Sequence, residues 1–377
     1  MDSSGFENFS SQLISWMESW GLNRTTDTFP FAELSLELFR LQYDSIEIYR
    51  RLCDARRCDP SSVTDWRDIP RVPTAAFKDL DWTALPLENR PLYFQSSGTT
   101  GSRRSRHFHS PESLVIYEKS VEAGFRRLFP TLISGVSHRD YDFIFLIPQP
   151  SAIPHSSLGH MAEVLKKSFD PDKRSVHLSE INELGQWALN KSQVLNFLNR
   201  PPDSQRPVIV VGTAFSFVHL SDLMEESGVS CALPEGSLVM ETGGYKGQSR
   251  ELTRSDLYQL IASALKVPQD AIVTEYGMSE LSSQAYRRPG PPPNHFVCPP
   301  WMKVRIIDPE SGRESPTGAM GIVAIHDLAN VYSIAALETE DLGSAWIEGF
   351  ELAGRLTSSE PKGCSLFESG LSSPFNR

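Results

Sequence analysis

Residues Ser96 to Gly101 read SSGTTG, and Arg103, Arg104, Arg106 and His107 follow at once. Glycine lets backbone N–H groups approach an anion closely, hydroxyls donate to its oxygens, and cationic side chains neutralise its charge. The composition of Ser96, Ser97, Gly98, Thr99, Thr100 and Gly101 therefore suits a polyphosphate. The G-x-x-x-x-G-K-[ST] spacing of a Walker A loop is absent, so a P-loop NTPase is not the first choice. On residue types alone the stretch is either a grip for nucleotide phosphates or a solvated Ser/Gly turn beside a charged face.

Cys364 carries a different chemistry. The thiolate is the nucleophilic form of cysteine and nearby cations stabilise it; Lys362 stands two positions before, with Gly363 between them. The five cysteines, Cys53, Cys58, Cys231, Cys298 and Cys364, are odd in number and scattered, which points to a reducing compartment without a disulfide framework. Cys53 and Cys58 have no second Cys/His pair at zinc spacing and read as structural. Glu280 and Asp341, taken singly, would serve equally well as cap or turn residues.

The elements that must position these groups are those of an α/β protein. Tyr141 to Ile147, Pro207 to Val211, Ser237 to Met240 and Ala271 to Val273 are apolar runs of the kind seen in strands buried on both faces. Ser110 to Leu128, with Pro111 in its first turn, reads as a helix before them, and helical stretches separate them, so a parallel-rich sheet is expected. Ligands collect beyond the carboxyl ends of such strands, and the small and polar residues lie there. Leu34, Leu38, Leu41, Ile48 and Leu52 share one face of a single predicted helix, and belong to the core. The prolines of Ile69 to Lys78 disfavour a helix through the first half of that segment.

After the Pro-rich Pro289 to Asn294 the character changes. Val304 to Asp308, Gly321 to Ile325 and Ser344 to Ile347 are short strand-like runs, with PESGRESPTG and ETEDLG read as the breaks between them. The expected organisation is an α/β core over residues 1–300, a small antiparallel β subdomain over 301–353, and a hinge and short tail over 354–377. With 377 residues and a formal net charge of -11, nucleic acid is not expected as a bulk partner, and the basic run after Gly101 favours a small anionic ligand. No apolar run approaches the ~18 residues of a membrane span, and no apolar h-region opens the chain, so a cytoplasmic protein is expected.

Four patches form an ordered set: SSGTTG at Ser96–Gly101, GGYKG at Gly243–Gly247, EYGMSE at Glu275–Glu280, and TEDLG at Thr339–Gly343 followed by Gly354 and Arg355. Together they resemble the motifs of adenylate-forming enzymes, a superfamily of acyl-CoA synthetases, luciferases and peptide-synthetase adenylation domains. Within it the chain is most similar to acyl-protein synthetases of the LuxE type. IPRVPTAAFK, HSSLGHM at His155–Met161, ETGGYKG, TEYGMSELSSQAY and GRLTSSEPKGCSL carry that likeness, which runs from about Ile69 to Arg355 and on to Cys364.

The resemblance implies activation of a carboxylic acid by ATP with release of pyrophosphate. Ser96 to Gly101 would hold the β/γ-phosphates, Tyr276 would stack on adenine with Gly277 beside it, and Gly243 and Gly244 would line the adenine slot. Ser279 would hold the α-phosphate, Glu280 would coordinate Mg²⁺, Asp341 would bind the ribose hydroxyls, and Arg355 would sit at the hinge. Cys364, nine positions beyond Arg355 and so within ~30 Å of it at ~3.3 Å per residue, would take the acyl group as a thioester. The acid would be fatty or another carboxylic acid, and the recipient an acyl-reductase or acyl-transferase partner.

The chain departs from the superfamily in two places. Arg103, Arg104 and Arg106 stand where a lysine is usual, and the sequence given stops 22 residues after Arg355, without the usual C-terminal domain and its lysine. A residue such as Lys362 or a partner would then stand in. Two other readings remain open: an adenylating ligase that passes the acyl group to coenzyme A or a carrier protein, and a nucleotide-binding homologue without turnover.

Overall fold

A computed structural model of the protein describes residues 3–24, 28–96, 103–128, 141–170, 173–199, 206–245, 249–287, 295–347 and 349–356. The chain begins with helices α1 (Ser3–Gly21), α2 (Phe31–Ser45) and α3 (Glu47–Ala55). The single helix expected across Leu34 to Leu52 is two helices. Ile46 takes extended angles (φ -105°, ψ 94°) between them, which buries Ile46 itself. Leu34 and Leu38 are buried, whereas Leu41, Ile48 and Leu52 only pack against the core's edge.

Strand β1 (Val72–Pro73) and a tight 3-10 turn precede the hairpin β2 (Leu92–Gln95) and β3 (Arg106–His109), and α4 (Pro111–Leu128) follows. Next come β4 (Asp142–Pro148), α5 (Ser157–Phe169), β5 (Val176–Ile181), β6 (Trp187–Leu189), α6 (Lys191–Leu198), β7 (Val208–Gly212), α7 (Ala214–Ser227), β8 (Leu238–Glu241), α8 (Arg254–Leu265) and β9 (Ile272–Tyr276). The four apolar runs are β4, β7, β8 and β9. They lie side by side and parallel, with β5 parallel to β4 on the outer side. One face of this sheet packs against α6, α7 and α8, and the other against α4 and α5, which accounts for the unbroken apolarity of β4 and β7.

Beyond β9 the direction alternates. Strands β10 (Ala285–Arg287), β11 (Phe296–Val297), β12 (Met302–Ile307), β13 (Met320–Asp327), β14 (Ala336–Trp346) and β15 (Gly349–Arg355) are antiparallel to their neighbours in this part of the sheet. Among the described residues the main sheet runs β12-β13-β14-β15-β11-β10-β9-β8-β7-β4-β5-β6, with β1 parallel to β14. The antiparallel strands β12 to β15 thus continue the parallel sheet through the pairing of Phe296 with Phe350.

One expectation needs correcting here. ETEDLG is not a break between strands; Glu338 to Gly343 lie inside β14. Glu, Asp and Gly are poor strand formers, but β14 is paired on both sides, by β13 and β15, and that context overrides local preference. The consequence is functional, because Asp341 becomes a fixed strand residue directly opposite Arg355.

Candidate active site

Tyr276 ends β9, at the point where the parallel half of the sheet meets the antiparallel half. Its ring is buried and packs against Phe296 (centroids 5.9 Å apart) and edge-on to Phe350 (5.6 Å). The phenol donates to Asp341 Oδ2 at 2.8 Å, and Arg355 Nε donates to Asp341 Oδ1 at 2.8 Å. Asp341 and Arg355 meet because they are direct cross-strand partners. Burial, and then the carboxylate, push the Tyr276 phenol well above its ordinary pKa, so it remains a donor. Asp341 in turn raises the pKa of Arg355.

The hairpin brings Ser96, the first residue of the first motif, to the same place. Ser96 and Ser105, which flank the loop, are joined by Ser96 N–H to Ser105 O (3.4 Å) and by Ser105 N–H to Ser96 Oγ (3.1 Å). Ser105 Oγ lies 3.5 Å from Ser279 Oγ, and His107 Nδ1 lies 3.0 Å from Ser279 O. Ser279 Oγ donates to Glu280 Oε2 at 3.0 Å, and Asn330 Nδ2 donates to Glu280 O at 2.9 Å. Ser97, Gly98, Thr99, Thr100 and Gly101 lie outside the described residues, as do Lys246, Gly247, Lys362 and Cys364.

The basic run reads differently in three dimensions. Strand alternation sends Arg106 and Phe108 to one face of β3, and His107 and His109 to the other. Arg106 pairs with Asp81 (2.8 Å) and Arg103 with Asp79 (3.3 Å). His107 is not a cation, as its place in the run suggested. Burial pushes its pKa down to about 4, so the neutral ring serves to hold the Ser279 carbonyl.

The GGYKG motif arrives by way of β8. Gly243 and Gly244 have φ of 69° and 80°, a left-handed conformation that favours glycine. The Gly243 N–H is held by the Glu241 carboxylate, and Glu241 is the cross-strand partner of Thr274 on β9. Gly277 lies close against Glu275, whose Oε1 would have to move to admit a Cβ there.

Sequence reasoning missed several residues of this region. Glu241 and Glu275 are buried, and desolvation pushes them up to about 7 and about 8, with Glu241 adding to the rise at Glu275. Asp327 is also buried and pushed up to about 6. It accepts from the N–H groups of Ser282, Ser283 and Ala329 and from Ser283 Oγ, which pins the chain just after Glu280. Acids at the ends of apolar strands were the available signal, because Glu241 and Asp327 end β8 and β13 and Glu275 stands one residue before the end of β9. Ser105 and Asn330 gave none.

The chemistry of the set suits an adenylated ligand. A carboxylate has about four acceptor positions, so Asp341 keeps room for further donors beside Tyr276 and Arg355. Among the described residues no group of three or more metal-ligating side chains is assembled. Glu280 as the one carboxylate beside Ser279 fits a magnesium ion, which takes one or two carboxylates plus substrate phosphates rather than a cage of protein ligands. Three of the described thiols are poor nucleophiles: Cys53 and Cys298 are pushed up to about 12 by burial, and Cys231 is raised for the same reason. Cys53, Cys58, Cys231 and Cys298 are all free, as expected. No described helix is long and apolar enough to cross a membrane.

Residues 181–369 match the family model described as acyl-protein synthetase, LuxE. The chain belongs to this family. It is therefore an enzyme of the AMP-forming acid–thiol ligase kind. The chain is similar to the long-chain-fatty-acid–luciferin-component ligase of Aliivibrio fischeri, 22% identical over 350 residues that cover 89% of this chain and 86% of the relative. The protein of that description from Vibrio harveyi is 23% identical over 344 residues, covering 87% and 84%. Among solved structures, 2-hydroxyisobutyryl-CoA ligase with 2-HIB-AMP and CoA, in its thioesterification state, superposes with a TM-score of 0.63. It is 13% identical, over 88% of this chain and 70% of that one, and the likeness speaks for the fold alone. The family match spans three of the four motifs and reaches past Cys364.

Proposed function

We propose that the protein activates a fatty acid with ATP as acyl-AMP and transfers the acyl group to its own Cys364, for delivery to a partner such as an acyl reductase. The observation that supports the activation half is that the described residues of the four motifs, Ser96 through Ser105, Gly243 through Glu241, Tyr276 to Glu280, and Asp341 with Arg355, gather around the end of β9, from positions up to 259 residues apart in the chain. The names of the two relatives, both long-chain-fatty-acid–luciferin-component ligases, support a fatty acid as the substrate.

In this reading Ser96 to Gly101 grip the β/γ-phosphates, Ser279 donates to the α-phosphate, and Gly243, Gly244 and Gly277 give adenine a slot beside Tyr276. Ribose hydroxyls donate to the open positions of Asp341, already oriented by Tyr276 and Arg355. Mg²⁺, held by Glu280, supplies neutralisation of phosphate charge. A carboxylate oxygen of the acid bonds to the α-phosphorus as the bond to pyrophosphate breaks. Catalysis is then mostly positioning and charge neutralisation.

In the second half the Cys364 thiolate attacks the acyl carbonyl carbon, the acyl–phosphate oxygen bond breaks, and AMP leaves with the electron pair. The thioester remains on the chain for the partner. The test combines labelled fatty acid, ATP and Cys364→Ser. Wild type is expected to become covalently labelled and the variant not, while acid-dependent pyrophosphate exchange persists in both. A variant that still carries label refutes the acyl-enzyme. Label that appears on added coenzyme A with no labelled protein at any stage favours direct transfer, and absence of exchange in wild type refutes activation.

A further inference from the structure

Glu241 ends β8, is 5% exposed, and lies where the proposed adenine slot meets the sheet. Its carboxylate takes two donors. One is the N–H of Gly243, two residues on, and the other is the hydroxyl of Thr274, its partner on the neighbouring strand β9. Thr274 Oγ1 is also paired with the hydroxyl of Tyr258 on α8. A threonine hydroxyl has one hydrogen, so when it donates to the ionised Glu241 the Tyr258 phenol must donate to Thr274. Donation therefore runs from Tyr258 to Thr274 to Glu241, and ends on the carboxylate that holds the glycine turn.

What these bonds fix follows from the backbone. Gly243 and Gly244 both stand at positive φ. Glycine populates positive and negative φ about equally, so two in succession do not select one turn by themselves. Here the Gly243 N–H is held by Glu241, and the Gly243 carbonyl accepts from the Ala214 N–H at 3.3 Å, so the peptide groups on either side of its Cα are both pinned. Thr274 and Tyr276, two apart on β9, share one face of that strand. Glu241 thus joins the glycine turn to the face of β9 that carries Tyr276, and adenine would lie between those two walls.

We infer that Glu241 is a positioning residue for ATP, holding the Gly243–Gly244 turn at its distance from Tyr276 before the nucleotide enters. The inference rests on the proposed acyl-activating function, in which those glycines line the adenine slot. A turn that is ordered beforehand spares ATP the cost of ordering it, so loss of Glu241 falls on ATP affinity and not on bond-making at the α-phosphorus. Glutamine can take its place. The amide oxygen accepts from the Gly243 N–H, and the amide NH₂ donates to Thr274 Oγ1, whose hydroxyl then turns to the Tyr258 oxygen. Methionine fills a similar volume and offers neither the oxygen nor the donor.

The test measures ATP binding to the full chain by calorimetry, and acid-dependent pyrophosphate exchange, in wild type, Glu241→Met, Glu241→Gln and Thr274→Val, with folding checked by circular dichroism. Glu241→Met is expected to weaken ATP binding and raise the KM for ATP at least ~10-fold, the size of one hydrogen bond to a charged group, while kcat and the KM for the fatty acid stay within ~2-fold of wild type. Glu241→Gln is expected to bind ATP within ~3-fold of wild type, and Thr274→Val to weaken it by ~3-fold or more, the size of one neutral hydrogen bond. A role in packing alone would leave Glu241→Met and Glu241→Gln alike. The inference is overturned if the two bind ATP equally, or if kcat falls while the KM for ATP holds. If Glu241→Met does not fold, Thr274→Val decides, and binding equal to wild type overturns the inference. A wild type that binds ATP but exchanges no pyrophosphate refutes the acyl-activating function and leaves the binding comparison to judge Glu241; a wild type that binds no ATP overturns both.

Discussion

Glu275→Gln should flatten the pH dependence of stability, and its size follows from the structure. Glu275 is buried beside Glu241, between Thr274 and Tyr276 on β9, and its carboxyl is pushed from 4.5 up to about 8. The folded chain therefore keeps a proton that the unfolded chain releases above about pH 4.5. The stabilising contribution is complete below that pH and is lost as pH rises through about 8. Between pH 6 and pH 9 the loss from this group alone is on the order of 2–3 kcal/mol, at ~1.4 kcal/mol per pH unit over the two units below the folded value and little beyond it. Glutamine keeps the shape and the neutral form. Urea midpoints at pH 6, 7, 8 and 9 are expected to fall more steeply for wild type than for the variant, the two converging at the acid end. Glu241 contributes a slope of the same sign in both proteins, so the difference reports Glu275 together with its interaction with Glu241. Parallel curves for the two proteins over this range would refute the assignment of a neutral buried carboxyl at this position.

Asp341→Asn removes the charge that orients Tyr276 and Arg355; its KM for ATP in acid-dependent pyrophosphate exchange is expected to rise ~10- to 100-fold, the size of one or two charged hydrogen bonds, with little change in thermal midpoint. Asp327→Ala leaves four donors near Glu280 without their acceptor, and is expected to cost about 3–5 kcal/mol in chemical denaturation, enough to lower the amount of folded protein recovered.

The parallel half of the fold was legible because its strands are short, apolar and regularly bounded, and β4, β7, β8 and β9 fall on the four runs read from the sequence. The antiparallel half was less so. ETEDLG has the composition of a turn, and only pairing on both sides makes it strand, which no local pattern reveals. Ile46 splits a continuous apolar stripe for the same kind of reason, since its burial depends on packing that sequence periodicity does not encode. The charge of His107 was misread because a basic run counted along the chain ignores strand alternation, which puts His107 on the buried face of β3 and Arg106 on the other. The candidate site itself was read by motif rather than by geometry. Its supporting shell of Ser105, Glu241, Asp327 and Asn330 carries no motif, and appears only when the fold brings the end of β13 to the segment after β9, beside β8 and the hairpin.

The arginines that replace the usual lysine can now be weighed physically. Arg103 and Arg106 are already paired, with Asp79 and Asp81, and Asp81 also holds Arg90 at 3.0 Å. Such exposed pairs contribute on the order of 0–1 kcal/mol each, so a phosphate oxygen bearing more charge than a carboxylate displaces them at small cost. Arg106 stands across β3 from His107, which holds Ser279, so a guanidinium swinging from Asp81 toward the mouth of the hairpin has the candidate α-phosphate donor just behind the strand. On the proposed function Asp79 and Asp81 would hold Arg103 and Arg106 until ATP arrives and would release them to its phosphates. A lysine would need no such partners. Arg103 and Arg106 have them, so on the proposed function Asp79 and Asp81 would belong with the phosphate grip as much as the residues that would touch the nucleotide.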